Sequence, residues 1–206
     1  MLQHEGCTLF GIGDVTGHGL ESGVLMLMAQ TAVRTLLESE EKDPVKFLNI
    51  LNRTIYKNVQ QRMGVDKNLT LSLLEYVPHP EKGGILHISG QHEELIILRK
   101  DGTLERIDTI DLGFPIGIVE NITKFVAQMQ VQLNSGDIVV LYTDGITEAG
   151  NEEDEMYGME RFCALIQQHG QKSVHELRQA IIDDVRQHIG NNKLLDDITL
   201  LIIKQK

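Results

Sequence analysis

The chain has 206 residues, 41% of them hydrophobic and 24% charged, an ordinary globular composition with enough length to bury a core. No run of about 18 apolar residues occurs, so no membrane-spanning helix is expected. The net charge of -11 disfavours nucleic acid and anionic membranes as partners, since both present phosphates. Cys7 and Cys163 are too few for a metal cluster or a disulfide framework. They read as buried, reduced thiols, which with the absence of a basic-then-apolar leader predicts a cytoplasmic domain.

Residues 7–13, CTLFGIG, form a short apolar run ending in glycines and predict a buried strand. Residues 14–23 are punctuated by glycine and predict a loop. Helical spacing runs from about Leu20 to Glu38, interrupted by Gln30 and by Arg34, which reads as a partnered charge at the core edge. Asp43 and Pro44 supply an N-cap and a first-turn proline for a second helix. Phe47, Leu48, Leu51, Ile55 and Val59 recur on one of its faces, and Met63-Gly64 closes it. The period then changes. Leu69, Leu71, Leu73 and on to Val77 predict a strand, as do residues 85–88 and 95–98. Lys100-Asp101-Gly102-Thr103 is a hairpin-type turn. Residues 125–133 alternate as a strand, and Ser135-Gly136-Asp137 turns into the β run 138–142. A helix at 158–168 has Gly170 just past its end. Another starts from the capping box Ser173 and Glu176 and ends near Gly190. Residues 198–203 close the chain as an apolar strand. This order favours an α+β fold with antiparallel sheets over alternating βαβ units. No repeat or linker interrupts it, so residues 1–206 read as a single domain.

Three aspartates share a local context. Asp14 follows the first strand, Asp144 follows 138–142, and Asp196-Asp197 precede the last strand. Carboxylates at the ends of neighbouring strands would converge, and converging carboxylates repel unless a cation lies between them. Oxygen-only ligation of this kind selects Mg²⁺ or Mn²⁺ over Zn²⁺. Each aspartate alone also fits a turn or a helix cap, and Asp144-Gly145 is an ordinary turn pair. The glycines at 11, 13 and 17 do not have dinucleotide-fingerprint spacing, and Asp14 would stand where a pyrophosphate must come. They read instead as a tight loop whose backbone carbonyls face a metal. His18 fits either a general acid or phosphate contact, or an exposed loop residue. His87 and His92 lack ligand spacing.

Gly13-Asp14-Val15-Thr16-Gly17-His18-Gly19, Tyr142-Thr143-Asp144-Gly145-Ile146-Thr147-Glu148-Ala149 and Asp196-Asp197-Ile198-Thr199 occur in that order. Together they resemble the SpoIIE-like branch of the PPM-type, metal-dependent protein serine/threonine phosphatases. Gly113-Phe114-Pro115-Ile116-Gly117, Tyr157-Gly158-Met159-Glu160-Arg161 and Ser89-Gly90-Gln91-His92 add to the resemblance. It implies a four-layer αββα sandwich of two antiparallel sheets flanked by helix pairs, and a site for two Mn²⁺ or Mg²⁺ ions. By position, Asp14 would bridge the ions with the Val15 carbonyl as a further ligand, and Asp144 and Asp196 would each hold one. Asp196 is matched to the family's ligand, with Asp197 as the alternative one residue on. A metal-bound water or His18 would protonate the leaving serine oxygen, and the catalytic set is Asp14, Asp144, Asp196 and His18. The implied substrate is a phosphorylated regulatory protein, a STAS-type anti-sigma-factor antagonist. Family members carry one more metal aspartate on an earlier strand. No strand is expected ahead of Cys7 here, and Glu5 is a poor substitute, so the domain reads as truncated at its N-terminus. That departure motivates a second reading: a catalytically impaired domain that binds a regulatory partner.

Overall fold

The structure, a computed structural model, describes residues 2–4, 6–79, 83–193 and 196–206. In chain order the elements are β1 (Leu2–His4), β2 (Cys7–Val15), α1 (Leu20–Glu38), α2 (Pro44–Tyr56), β3 (Leu69–His79), β4 (Gly83–Ser89), β5 (Leu95–Leu98), β6 (Leu104–Ile107), β7 (Gln128–Leu133), β8 (Ile138–Tyr142), α3 (Met159–His169), α4 (Val174–Ile189) and β9 (Leu200–Lys204). Helix pairs and strand runs follow one another as the α+β expectation has them. The residues gather into two compact units, one of residues 1–77, 86–92 and 109–131, the other of 78–85, 93–108 and 132–206.

The first unit is built on a five-stranded sheet ordered β1-β2-β3-β4-β7, in which β2 pairs antiparallel with both β1 and β3. Helices α1 and α2 carry its core. Leu25 and Ala29 of α1 meet Leu48, Leu51 and Ile55 of α2 together with Leu69 and Ile116. The second helix starts where Asp43 Oδ1 accepts hydrogen bonds from the amides of Val45 at 2.9 Å and Lys46 at 3.2 Å, with Pro44 in the first turn where no amide is needed. Beyond Tyr56 the helix widens into a π turn over Lys57–Met63, and Gly64 ends it in the left-handed region at φ 63°.

The second unit is a four-stranded sheet ordered β6-β5-β8-β9, antiparallel throughout. Every residue of β5 and β8 is buried, as their unbroken apolar runs require. Phe162 and Ile166 of α3 and Leu177, Ile181 and Val185 of α4 pack against Ile96, Leu98 and Val140. Full burial of each such side chain contributes roughly 1.5–3 kcal/mol. Gly170 follows α3 in ordinary helical geometry, so it is not the left-handed cap that its position suggests. Its glycine is required by packing: a Cβ there would stand 2.0 Å from Leu98 Cδ2.

Several expectations are revised. The expectation of no strand ahead of Cys7 is not met: Leu2–His4 pairs with β2 as a short edge strand, and its three residues include no aspartate. Glu5 lies outside the described residues. The strand expected to end at Gly13 continues through Asp14 to Val15, and Gly11 and Gly13 therefore lie within a strand and not in a loop. A Cβ on Gly13 would come 2.4 Å from the Thr70 carbonyl oxygen, so its glycine serves close strand approach. Strand β6 was not expected, and residues 123–125 form a 3₁₀ turn where a strand was expected to begin. Arg34 is an exposed partner of Glu38 at 3.5 Å on the helix surface, not a core-edge charge. Cys7 and Cys163 are half-buried free thiols, and burial pushes the Cys163 thiol up.

Two polar clusters tie the second unit together. Arg99 donates two 2.8 Å bonds to the Glu105 carboxylate, one of 2.8 Å to Asp137 Oδ2 and one of 2.7 Å to the Gln132 carbonyl. Burial alone would raise the Asp137 carboxyl. The amides of Asn134 and Lys100 and the Arg99 guanidinium outweigh it and hold the group below the usual range. In the second cluster Tyr157 donates to Asp184 Oδ2 at 2.6 Å, and Arg161 binds both oxygens of Asp184 at 2.9 and 3.0 Å while lying over the Tyr157 ring. Residues 157–161 thus form a pin between the loop after β8 and α4. The Arg161 bonds, partly opposed by burial and aided by Tyr157, lower the Asp184 carboxyl. A depressed carboxyl gives stability that is present above the unfolded-state value, near 3.9, and is lost as pH falls through the lower folded-state value. Asp184→Asn is therefore expected to cost about 1–3 kcal/mol at pH 7, and the difference from wild type should shrink below about pH 4. Urea unfolding of both proteins between pH 2.5 and 7 checks this.

Candidate metal centre

Asp14 belongs to the first unit. It is half-buried near the end of β2, where it pairs with Thr70 of β3, and Val15 follows as the last strand residue. The chain then turns away through Gly17 and Gly19, whose φ angles of 70° and 98° are left-handed and suit glycine. The turn is fastened to the residues before β3. Thr16 donates backbone and hydroxyl bonds of 3.0 Å to the Asn68 carbonyl and accepts from the Asn68 amide at 2.9 Å. Its carbonyl accepts from Lys67 Nζ at 2.8 Å and Ser22 Oγ at 3.2 Å. His18 is exposed on this turn. His92, set aside for want of ligand spacing, lies one step from Asp14: its Nδ1 is 2.8 Å from the hydroxyl of Thr70, the register partner of Asp14. The sequence sign of this was the Ser89-Gly90-Gln91-His92 segment.

Asp144 and Asp196 belong to the second unit, and the structure brings them together: each offers a carboxylate oxygen within 4.8 Å of the other. Asp144 stands two residues past the end of β8, after Thr143, in the turn where the Glu148 amide donates to its carbonyl at 2.8 Å. Turn and ligand were alternatives in the sequence. The turn is present, yet the side chain does not make it, because Asp144 Oδ1 is buried with no hydrogen-bond partner among the described residues. A buried carboxylate oxygen left unsatisfied is costly unless something charged or donating reaches it. Asp196 is exposed, and its Oδ1 accepts the Asp197 amide at 2.7 Å. Asp197 presents its carbonyl to this turn instead, accepting from Thr143 Oγ1 at 3.0 Å.

Two devices hold the Asp196 segment against Asp144. Thr143 makes three bonds to it: its hydroxyl donates to the Asp197 carbonyl and accepts the Thr199 amide at 2.9 Å, and its amide donates to the Thr199 carbonyl at 3.1 Å. Gly145 gives the room, since a Cβ there would stand 2.5 Å from the Asp197 carbonyl oxygen. The pair Asp-Gly is therefore needed here for a close backbone approach, a reason the local sequence does not disclose.

The donor set fits a hard divalent cation. It is all oxygen, it is anionic, and one of its buried oxygens lacks a partner. Gly145→Ala is expected to drive the Asp197 carbonyl away, at a cost of about 1–3 kcal/mol, and to separate Asp196 from Asp144. Urea unfolding and a crystal structure of the variant check both effects.

The model of the Stage II sporulation protein E (SpoIIE) family matches residues 4–206, and the chain belongs to that family. Over 196 residues it is 28% identical to the phosphoserine phosphatase RsbU of Bacillus subtilis (strain 168), a match covering 95% of this chain and 55% of RsbU. The chain thus spans about half the length of that relative. The SiaA-PP2C domain of Pseudomonas aeruginosa has the same fold, with a TM-score of 0.81 at 21% identity over 100% of this chain and 78% of that one. The catalytic domain of the serine/threonine phosphatase PstP, solved in complex with two manganese ions, matches with a TM-score of 0.63 at 16% identity over 98% and 92% of the respective chains. The fold is that of PP2C-type serine/threonine phosphatases, and no helix among the described residues is long and apolar enough to cross a membrane.

Proposed function

We propose that this chain is a Mn²⁺- or Mg²⁺-dependent protein phosphatase that hydrolyses phosphoserine or phosphothreonine on a cytoplasmic regulatory protein, of the STAS-type anti-sigma-factor-antagonist class. The observation that carries the reading is the buried, unpartnered Asp144 oxygen beside Asp196. The relative RsbU is a phosphoserine phosphatase, and the PstP fold was solved with two manganese ions. Both support the reading.

In it, Asp144 and Asp196 hold a cation, and Asp14 with the Val15 carbonyl completes a site for two. Asp14 enters because it lies next to the last residue of β2, inside the stretch matched by the family model. Asp196 is preferred to Asp197 because its carboxylate, and not that of Asp197, approaches Asp144. Divalent cations here supply charge neutralisation for a phosphoryl group and a water acidic enough to act as nucleophile near neutral pH. The protein's own part is to hold Asp14 in a strand, Asp144 in the turn after another and Asp196 in the segment before a third. In this reading His18, which is exposed on the turn after β2, gives a proton to the leaving serine oxygen.

Manganese titration with an aryl phosphate and a phosphoserine protein as substrates tests this. Turnover should require the metal and should fall at least about 100-fold in Asp14→Asn and in Asp144→Asn, the scale of a lost transition-state contact worth several kcal/mol. His18→Ala should lose on the order of 100-fold in turnover with manganese binding unchanged. Turnover that survives Asp144→Asn, or that needs no metal, sinks the proposal. One observation favours the second reading, an impaired partner-binding domain: β1 carries no aspartate. Tight binding of the phosphoprotein without turnover at any manganese concentration would select it.

A further inference from the structure

We propose that Asn192 is a positioning residue for the metal carboxylates, acting by clamping the segment that carries Asp196 to the loop that begins at Asp144; this rests on the metal-dependent reading above. The segment from the end of α4 to the start of β9 has no regular structure at 191–193 or 196–199 among the described residues, and Asp196 is exposed. Nothing in its own backbone pairing therefore fixes where Asp196 stands. Like charges within 4.8 Å push it away from Asp144. The restraint must come from outside.

Downstream, Thr143 supplies it through residues 197 and 199. Upstream, the Asn192 carboxamide does so. Its Nδ2 donates to the Gly150 carbonyl at 3.2 Å and to the Asn151 carbonyl at 2.7 Å, while its Oδ1 accepts the Lys193 amide at 2.8 Å. The Asn191 amide adds a 3.2 Å bond to Glu152 Oε1. The platform it grips is stiff. Asn151 Oδ1 accepts the amides of Glu153 and Glu155, both at 2.9 Å, Gly150 bridges to Met156, and Tyr157 is pinned to Asp184. Asp196 thus has a clamp before it in the chain, from 192 to 150–151, and one after it, from 197 and 199 to 143. A carboxamide suits the task because one planar group donates twice while accepting once. Alanine, serine and aspartate cannot do so.

Groups that orient metal ligands from outside the ligand set typically change affinity by about 10–100-fold when removed. Manganese binding to the whole chain, read by electron paramagnetic resonance of free Mn²⁺, should weaken by about tenfold or more in Asn192→Ala. Asn192→Asp keeps the acceptor and loses the donors, and should weaken likewise. The thermal midpoint in EDTA should fall by no more than about 2–4 °C. Glu105→Gln, which disturbs the Arg99 cluster away from the aspartates, is the control: its midpoint should fall while its manganese affinity stays at the wild-type value. Wild-type affinity in Asn192→Ala overturns the inference. So does equal weakening of affinity in Glu105→Gln, which would make the effect one of general stability. A wild-type chain that binds no manganese overturns the metal reading itself, and is told apart because it shows before any Asn192 variant is made.

Discussion

Asp144 and Asp196 have carboxylate oxygens within 4.8 Å of one another, and the second unit is arranged to hold them there. At that range two full charges repel by roughly 1–3.5 kcal/mol for effective dielectric constants between those of water and a protein surface. Neither residue has a counter-charge in an ion pair among the described residues. The opposing force is backbone geometry. β8 ends rigidly between β5 and β9, Thr143 makes three bonds across to residues 197 and 199, and Gly145 lets the Asp197 carbonyl come close. The rest of the unit supports that end of the sheet: α3 and α4 bury its other face, and the Tyr157–Asp184–Arg161 cluster secures the loop that leaves it. Like charges held adjacent by so many bonds are an arrangement that a cation would stabilise, and the proposed function rests on this and not on the fold alone.

How much of this could be read in the chain beforehand depends on what kind of signal each part leaves. Amphipathic helices and apolar strands leave periodicity, so α1, α2, α4, β5 and β8 lie where spacing places them. Asp14 and Asp144 leave a local signature, an acidic residue at or just past a strand end beside glycine, and the ordered motifs made the set with Asp196 specific. The remainder has no such trace. β6 is a four-residue strand with mixed burial, and its identity depends on pairing with β5, not on its own pattern. Gly13, Gly145 and Gly170 read as loop, turn and cap from their neighbours, while each is required by an atom that lies far away in the chain: the Thr70 carbonyl, the Asp197 carbonyl and Leu98 Cδ2. Asp137 looks like a turn residue and is also the buried partner of Arg99. His92 and Asn192 contribute through contacts with residues 22 and 41–42 positions away in sequence. Long-range contacts of single polar side chains are set by topology, and topology is what a linear reading reaches last.

The two units divide the work differently. In the first, Asp14 sits on a strand whose glycines permit close pairing, next to a turn stapled by Thr16, Lys67 and Asn68. Its restraint is therefore regular β structure plus one tight turn. In the second, Asp144 stands in the turn after β8 and Asp196 in an irregular segment before β9, so side-chain bonds substitute for a sheet ladder. Membership of the SpoIIE family spans both units in one match, residues 4–206.

Gly170 carries a last consequence. With Leu98 Cδ2 only 2.0 Å from where its Cβ would stand, the α3 layer and β5 meet at a point that admits no side chain on one partner while the other is leucine. Evolution can cross such a point only by a coordinated step. A relative with alanine at the equivalent of 170 is expected to carry a smaller, differently branched or shifted side chain at the equivalent of 98. The two positions, 72 apart in the chain, should therefore covary across related sequences as a single inherited character, marking the helix-to-sheet spacing of this unit more faithfully than any of its fully apolar contacts.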